Sequence, residues 1–248
     1  MTVVEKHRVA LPGGALALVL HLPEAPARVP VVVACHGLGA SKDSDKSLLI
    51  GETLPAAGFA LARFDFRGCG ESSGTEEETT IASRMEDVEA VLAFLSRHPR
   101  LDGRFGLLGS SLGGFVALQI AARDHGLPLP VPIVTWNAPA SLTELANDDL
   151  RENRGLGVPF ALEYATGRYA LAPTGLSHHL IVHGDADVVV TLEHGVALHE
   201  RATDPCDLVI IPGADHRITD PDHRRQAVAL SLAWFEKHLR ARSIAALG

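Results

Sequence analysis

The pentapeptide Gly109-Ser110-Ser111-Leu112-Gly113 is the feature that most constrains how this chain can fold. It has the form G-x-S-x-G and lies between two apolar runs, Phe105–Leu108 and Phe115–Leu118. A sharp strand-to-helix turn of this form exposes its central serine, and the glycines remove Cβ atoms where backbone segments approach closely. The pattern predicts a nucleophilic serine at Ser111. Ser110 is the rival, but it lacks the symmetric glycine spacing.

Short apolar runs recur along the chain and predict the strands of one sheet. They are Val29–Ala34, Phe59–Asp65, Phe105–Leu108, Pro132–Trp136, Leu180–Val182 and Leu208–Ile211. Several are apolar throughout, which is typical of strands buried on both faces of a parallel sheet. Helical patterns lie between them, for example the stripe Ile81, Met85, Val88, Leu92, Leu95 and the start at Asp220-Pro221. The first ~22 residues, with Gly13-Gly14 between extended runs, predict an antiparallel hairpin.

The length of 248 residues is compatible with one large domain or two small ones. The alternation of strands and helices favours a single α/β domain over residues 1–248, with a mostly parallel central sheet and helices on both faces. Residues 138–177 separate two strands by more than an ordinary connection does. We expect this segment to be a small lid insertion that shapes a pocket; a surface excursion with one or two helices is the alternative.

A serine hydroxyl needs a base to accept its proton and a carboxylate to orient that base. Two later strands end in such residues: Asp185 and Asp187 follow one, and His216 follows the next. Both lie at strand carboxyl ends, where open α/β sheets place their sites. We therefore expect His216 to be the base. The pattern alone leaves Asp185 and Asp187 as rivals for the acid, and Asp215 is expected to shape its loop.

An oxyanion on the attacked carbonyl would need two backbone N–H donors. The Leu112 amide at the helix start is one, and the turn His36-Gly37 after the first buried strand brings the Leu38 amide as the other. His36 is expected to brace this loop by hydrogen bonding. The residues expected to line the substrate pocket are His36, Gly37, Trp136, Phe160 and Tyr164.

Other classes of function are weaker. Gly68, Gly70 and Gly74 resemble a dinucleotide fingerprint, but three glutamates follow and would oppose a pyrophosphate, so we interpret this segment as an active-site loop rather than part of an oxidoreductase. His178, His179 and His183 lack accompanying ligands with metal spacing, and no cofactor or metal is expected. The net charge of −8 argues against binding of nucleic acid, whose phosphates are also negatively charged.

Three cysteines without paired spacing favour a reducing compartment. No apolar run approaches the ~18 residues of a membrane span. We therefore expect a cytoplasmic protein, and the oligomeric state, monomer or homodimer, stays open.

The segments HGLGASKDS, DFRGCGESSG, GSSLGG, HGDADVVV and GADHR, in this order, resemble the α/β-hydrolase superfamily. Within it they are similar to small bacterial feruloyl-esterase-like and monoglyceride-lipase-like (serine aminopeptidase-type) hydrolases. The resemblance implies an α/β-hydrolase fold, with Asp187 as acid, His216 as base, and Leu38 and Leu112 at the oxyanion positions. One departure is Val190, where proline is common.

The resemblance implies cleavage of a small-molecule carboxylic ester through an acyl-enzyme on Ser111. Thioesterase or amidase/peptidase chemistry would use the same three residues and is the alternative. A non-catalytic ligand-binding protein of this fold is a further alternative, which predicts a missing or blocked member of the triad.

Overall fold

The computed structural model describes residues 2–123, 130–143 and 156–240. Its eight strands are β1 (Thr2–Leu11), β2 (Gly14–Pro23), β3 (Val29–Cys35), β4 (Ala60–Phe64), β5 (Leu101–Ser110), β6 (Ile133–Trp136), β7 (His179–Gly184) and β8 (Cys206–Ile211). The described α-helices are α1 (Asp45–Ala56), α2 (Ile81–Leu95), α3 (Leu112–Ala121), α4 (Val158–Ala165), α5 (Leu192–Arg201) and α6 (Pro221–His238). A short 3-10 turn spans Glu76–Glu78.

The strands form one sheet in the order β1-β2-β4-β3-β5-β6-β7-β8. The hairpin β1–β2 is antiparallel and joins β4 in antiparallel register, whereas every pair from β4 to β8 is parallel. This arrangement confirms the predicted hairpin and the predicted mostly parallel sheet. The fold is the α/β-hydrolase fold that the sequence motifs imply.

Strand β3 shows why its predicted segment is apolar throughout. Val31 and Val33 pack into one apolar cluster with α2 and α3, whereas Val32 and Ala34 pack into a second cluster with α1 and α6. Successive side chains of a strand point to opposite faces, so a sheet covered on both faces requires an unbroken apolar strand. The carboxyl ends of β3, β5, β7 and β8 then lie along one edge of the sheet.

Two predicted helices begin at capping residues, and the start at Asp220 is the predicted one. Thr80 precedes α2, and its side chain accepts a hydrogen bond from the Ser83 amide while the Ser83 side chain accepts one from the Thr80 amide. Asp220 precedes α6 and accepts from the amides of Asp222 and His223. Each cap satisfies donors that a helix start leaves unpaired, which fixes where the helix begins.

The excursion over residues 138–177 is described only in part, because residues 144–155 lie outside the described chain. Helix α4 belongs to its described part. The Glu163 carboxylate on α4 accepts hydrogen bonds from the Ile81 and Ala82 amides, at distances of 2.5 and 2.9 Å. The excursion therefore docks on the start of α2. Its predicted role as a lid, and with it the single-domain division, stays a prediction.

Candidate active site

Ser111 lies at the tip of the turn between β5 and α3. Its backbone has φ 54° and ψ −130°, in a region that non-glycine residues rarely adopt and that costs roughly 1–3 kcal/mol. The turn is held by the Ser111 amide, which donates to the Trp136 carbonyl at 2.9 Å. A Cβ at Gly113 would lie 2.2 Å from the Cys35 carbonyl oxygen. Only glycine lets α3 start this close to the end of β3.

Ser111, His216 and Asp187 form a continuous hydrogen-bonded chain. Ser111 Oγ is 3.1 Å from His216 Nε2, and His216 Nδ1 is 2.7 Å from Asp187 Oδ2. These distances lie within hydrogen-bonding range for a nucleophile, a base and an orienting acid. The three residues come from the ends of β5, β7 and β8, so the sheet brings together side chains that are far apart in the sequence.

The Asp187 carboxylate is buried and fully engaged. Its Oδ1 accepts from the Val189 and Val190 amides, each at 2.9 Å. Burial alone would raise the pKa of Asp187, but the hydrogen bonds from His216, Val190 and Val189 outweigh it and hold the pKa below its ordinary value. A proline at position 190, as the resemblance leads one to expect, would have no N–H to donate.

Asp185 has a different environment from Asp187. Its Oδ1 accepts from the Gly213 amide at 2.6 Å, which ties the turn after β7 to the turn after β8. Asp215 similarly accepts from the amide and hydroxyl of Thr219, as its expected loop-shaping role requires. The geometry thus favours Asp187 over its rival, because Asp187 alone of these three carboxylates contacts the His216 ring.

The loop after β3 lies against Ser111. A Cβ at Gly37 would be 3.0 Å from Ser111 Cβ. The His36 ring braces this loop as predicted: Nδ1 donates to the Gly37 carbonyl at 2.8 Å and Nε2 accepts from the Phe66 amide at 3.1 Å. Burial, with Arg84 nearby, lowers the pKa of His36 to about 4, so the ring is neutral and can accept.

Leu38 and Leu112 are the two residues whose backbone N–H groups are predicted to bind an oxyanion. Leu112 is the first residue of α3, so its amide has no acceptor one turn earlier in the helix. Leu38 lines the same cavity as Ser111. These placements are compatible with the predicted pair of oxyanion donors.

A cavity of about 390 Å³ opens over Ser111 and His216. Its lining comes from the segments after β3, β5 and β8 and from the first turns of α1 and α6, and it comprises Gly37, Leu38, Gly39, Ala40, Ser44, Asp45, Lys46, Ser110, Ser111, His216, Arg217, Thr219 and Arg224. Its volume falls within the range of small-molecule sites. Of the five residues expected to line the substrate pocket, Gly37 alone lines this cavity.

The other residues expected to line the substrate pocket lie elsewhere. His36 and Trp136 line a much smaller space beside the main cavity. Phe160 is buried in the apolar cluster that covers one face of the sheet, and Tyr164 packs against that cluster. Phe160 and Tyr164 line neither space, because α4 turns its apolar face towards α2 and the sheet.

The glycine-rich segment after β4 supports the site from behind and does not line the cavity. Asp65 accepts from the Lys42 and Glu71 amides, and its carboxylate pairs with the buried Lys42 ammonium at 3.0 Å. The expectation of an active-site loop is therefore corrected: the segment after β4 holds the loop after β3, and that loop lines the cavity.

Asn137 is a positioning residue that the sequence patterns missed. Its side-chain nitrogen donates to the carbonyls of Asp215 and His216, and its oxygen accepts from the Gly184 amide. It therefore ties the loop that carries the base to the end of β7. A polar residue directly after a buried strand was the available signal. Lys46, Arg217 and Arg224 were also missed: Lys46 and Arg224 lie outside the quoted motifs, and Arg217 ends the segment GADHR without a role assigned to it.

One group of possible metal ligands lies within the described ranges. Glu5, His7 and His98 place a carboxylate oxygen and two imidazole nitrogens within 4.8 Å of one another. Glu5 already bonds to both rings, at 2.9 and 3.1 Å. The group lies on the edge strand β1 and the loop after α2, outside the cavity lining. No helix in the described part of the chain is both long and apolar enough to cross a membrane.

Comparison with known proteins identifies the family. The model of the alpha/beta hydrolase fold family matches residues 30–164, and the chain belongs to that family. The chain is similar to an uncharacterized 31.7 kDa protein of Escherichia coli, at 34% identity over 113 residues, which are 44% of this chain and 38% of that protein. It thus spans less than half the length of this relative.

Two further likenesses extend over more of the chain. The mitochondrial palmitoyl-protein thioesterase ABHD10 of Bos taurus is 26% identical over 214 residues, covering 77% of this chain and 68% of that protein. Est1E from Butyrivibrio proteoclasticus, solved with ferulic acid bound, superposes with a TM-score of 0.78 at 22% identity, covering 95% of this chain and all of that one. At this identity the superposition shows the fold alone.

Proposed function

We propose that this chain is a serine hydrolase that cleaves carboxylic esters through an acyl-enzyme on Ser111. The observation that carries the proposal is the hydrogen-bonded chain from Ser111 Oγ through His216 to the buried Asp187 carboxylate. It opens into a cavity large enough for a small ester. The relative named as a palmitoyl-protein thioesterase is compatible with acyl transfer.

The mechanism follows from the roles that the geometry allows. His216 Nε2 accepts the Ser111 proton as Oγ bonds to the ester carbonyl carbon, and Asp187 holds the imidazolium that results. The carbonyl oxygen becomes an oxyanion facing the Leu38 and Leu112 amides. His216 then returns the proton to the leaving alkoxide as its C–O bond breaks. His216 next accepts a proton from a water molecule as that water attacks the carbonyl carbon of the acyl-enzyme. The bond from this carbon to Ser111 Oγ then breaks, His216 returns the proton to Oγ, and the acid is released.

Thioester cleavage is the second candidate, because the same residues would attack a thioester carbonyl and one relative is named a palmitoyl-protein thioesterase. Amide or peptide cleavage also requires only this triad. A panel of esters, thioesters and amides with matched acyl groups distinguishes the three by kcat/KM. A non-catalytic protein of this fold is disfavoured, since all three side chains are present and in contact.

The test is turnover of a short-chain p-nitrophenyl ester by Ser111→Ala. We expect turnover to fall to the background rate, because the nucleophile is gone. Ser110→Ala, which alters the neighbouring hydroxyl, should keep turnover well above background. Undiminished turnover in Ser111→Ala would refute the proposal.

A further inference from the structure

Three cationic side chains line the cavity over Ser111, which the reaction chemistry itself does not require. They are Lys46, Arg217 and Arg224, and Asp45 is the carboxylate among the lining residues. The chain as a whole carries a net charge of −8. The cavity lining therefore carries more positive than negative side chains, whereas the chain as a whole is negatively charged.

Lys46 lies in an environment that is unfavourable for a cation. It is half-buried in the first turn of α1, where the helix dipole opposes positive charge. Its ammonium donates to Ser110 Oγ at 2.7 Å and pairs with no carboxylate of the described residues. A neutral hydroxyl compensates only part of the cost of removing an ammonium from water. No described carboxylate lies within ion-pair distance of this ammonium to offset the rest directly.

The neighbouring charges add to this cost. Burial first, and then the guanidinium groups of Arg217 and Arg224, lower the pKa of Lys46 to about 8. The nearby carboxylates of Asp187 and Asp215 act in the other direction, but Asp187 is bound to His216 and Asp215 to Thr219. A lysine with this pKa is still mostly protonated at pH 7. The cavity therefore holds a positive charge that no described carboxylate neutralises.

The two arginines differ in how far they are engaged. Arg224 pairs with Asp45 at 3.2 Å and donates to the carbonyls of Ile218 and Thr219. Arg217 is exposed at the cavity mouth, next to His216 in the chain, and forms no ion pair with any described carboxylate. Among the described lining residues, Lys46, whose ammonium contacts Ser110 Oγ, and Arg217 are thus the two cations open to a ligand.

We infer that the site takes esters whose acyl or alcohol part carries an anionic group, such as a carboxylate, held by Lys46 and Arg217. This inference rests on the proposed ester hydrolysis and specifies its substrate class. Lys46 ends beside Ser110, the residue before the nucleophile, so the anionic group would lie close to the scissile ester. A short substrate with both groups would satisfy the geometry.

Two matched pairs of esters test this inference, and they distinguish an anionic group on the acyl part from one on the alcohol part. Mono-p-nitrophenyl succinate against p-nitrophenyl butyrate places the charge on the acyl part. 4-Acetoxybenzoate against its methyl ester places it on the alcohol part. We expect kcat/KM for the anionic member of at least one pair to exceed that of the neutral member by about tenfold or more, and the excess to shrink in high salt.

The variants Lys46→Met and Arg217→Gln should each lower this anionic-to-neutral ratio several-fold. The matched controls Lys6→Met and Arg97→Gln change exposed cations outside the cavity lining and should leave the ratio as it is. If Lys46→Met does not fold, Lys46→Gln takes its place. Because Arg217 is exposed, we expect Arg217→Gln to fold.

The outcomes separate this inference from the proposed function. If both esters of each pair are hydrolysed through Ser111 with ratios near one, or if the ratio does not respond to either cavity variant, the inference is wrong and the ester hydrolase stands. If no ester is hydrolysed and Ser111 is not acylated, the proposed function fails and the inference fails with it.

Discussion

At the residue scale, the site depends on a few side chains whose types could be predicted and whose contacts could not. Motif spacing identified Ser111 and His216 because a nucleophile elbow and a strand-end histidine leave local signals. The choice between Asp185 and Asp187 depends on which carboxylate reaches His216 across the fold, and only the three-dimensional structure shows that distance. Asn137 and Lys46 were missed because their roles arise from contacts distant in sequence.

The two aspartates give a matched test of the acid. Asp187→Asn keeps the shape of the side chain but removes the negative charge that holds His216 in the required tautomer, so kcat should fall on the order of 10⁴-fold. Asp185→Asn alters a turn contact to Gly213 and should reduce kcat far less. Steady-state kinetics on one p-nitrophenyl ester measure both. A larger loss in Asp185→Asn would reverse the assignment.

At the scale of elements, apolar patterning predicted the cores of the strands and some of their ends, such as the start of β3 at Val29 and the end of β8 at Ile211, but not the others. The predicted strand Phe105–Leu108 is the apolar middle of β5, which spans Leu101–Ser110. Asp102 and Arg104 interrupt the apolar run, yet the backbone there continues the strand. Helix α1 was not specified, because Gly51 and Pro55 obscure its pattern. Sequence periodicity reports burial, whereas strand ends depend on pairing with neighbours.

Helix α4 shows the same limit for side-chain direction. Phe160 was expected in the substrate pocket because it belongs to the excursion over 138–177. Instead it is 1% exposed and packs in the core, while Leu162 on the same helix is 66% exposed. An aromatic residue in a long connection does not reveal which way it faces. The hydrogen bond from the Ile81 amide to Glu163 fixes the orientation of α4 on α2, and in this orientation Phe160 faces the core.

A pair of substitutions on α4 checks this placement. Phe160→Ala leaves a cavity in a packed cluster and should lower the free energy of unfolding by about 3–5 kcal/mol. Leu162→Ala should change it by less than about 0.5 kcal/mol. Urea unfolding followed by circular dichroism measures both. Equal effects would mean that α4 does not bury Phe160 as described.

At the scale of the whole molecule, a single sheet serves two purposes. Its two faces bury the apolar clusters, and the carboxyl ends of its strands position Ser111, Asp187 and His216. The alternation of strands and helices along the chain predicts a mostly parallel sheet with both faces covered, but the sequence analysis did not predict the strand order. Buried polar groups were less predictable, among them three histidines held neutral inside the fold. Burial, as the largest cause, lowers the pKa of His21, His36 and His179 to about 4, 4 and 3.

These histidines predict how stability responds to acid. Below the ordinary histidine pKa of 6.5 the unfolded chain binds protons that the folded chain does not, so the free energy of unfolding falls as the pH drops from about 6.5 towards 4. Near pH 5, these three histidines alone should take up about three protons on unfolding. Urea unfolding at pH 7, 6 and 5 measures the slope, and His179→Gln should reduce it by about one proton. A constant free energy from pH 7 to pH 5 would contradict this account.

In the proposed function, Ser111 is a nucleophile that His216 and Asp187 activate. The most direct measurement is the reaction of the folded protein with a fluorophosphonate, followed by intact-mass analysis and peptide mapping. We predict one adduct per chain, located on Ser111 and absent from Ser111→Ala. An adduct on Ser110, or no adduct on the folded protein, would contradict the claim.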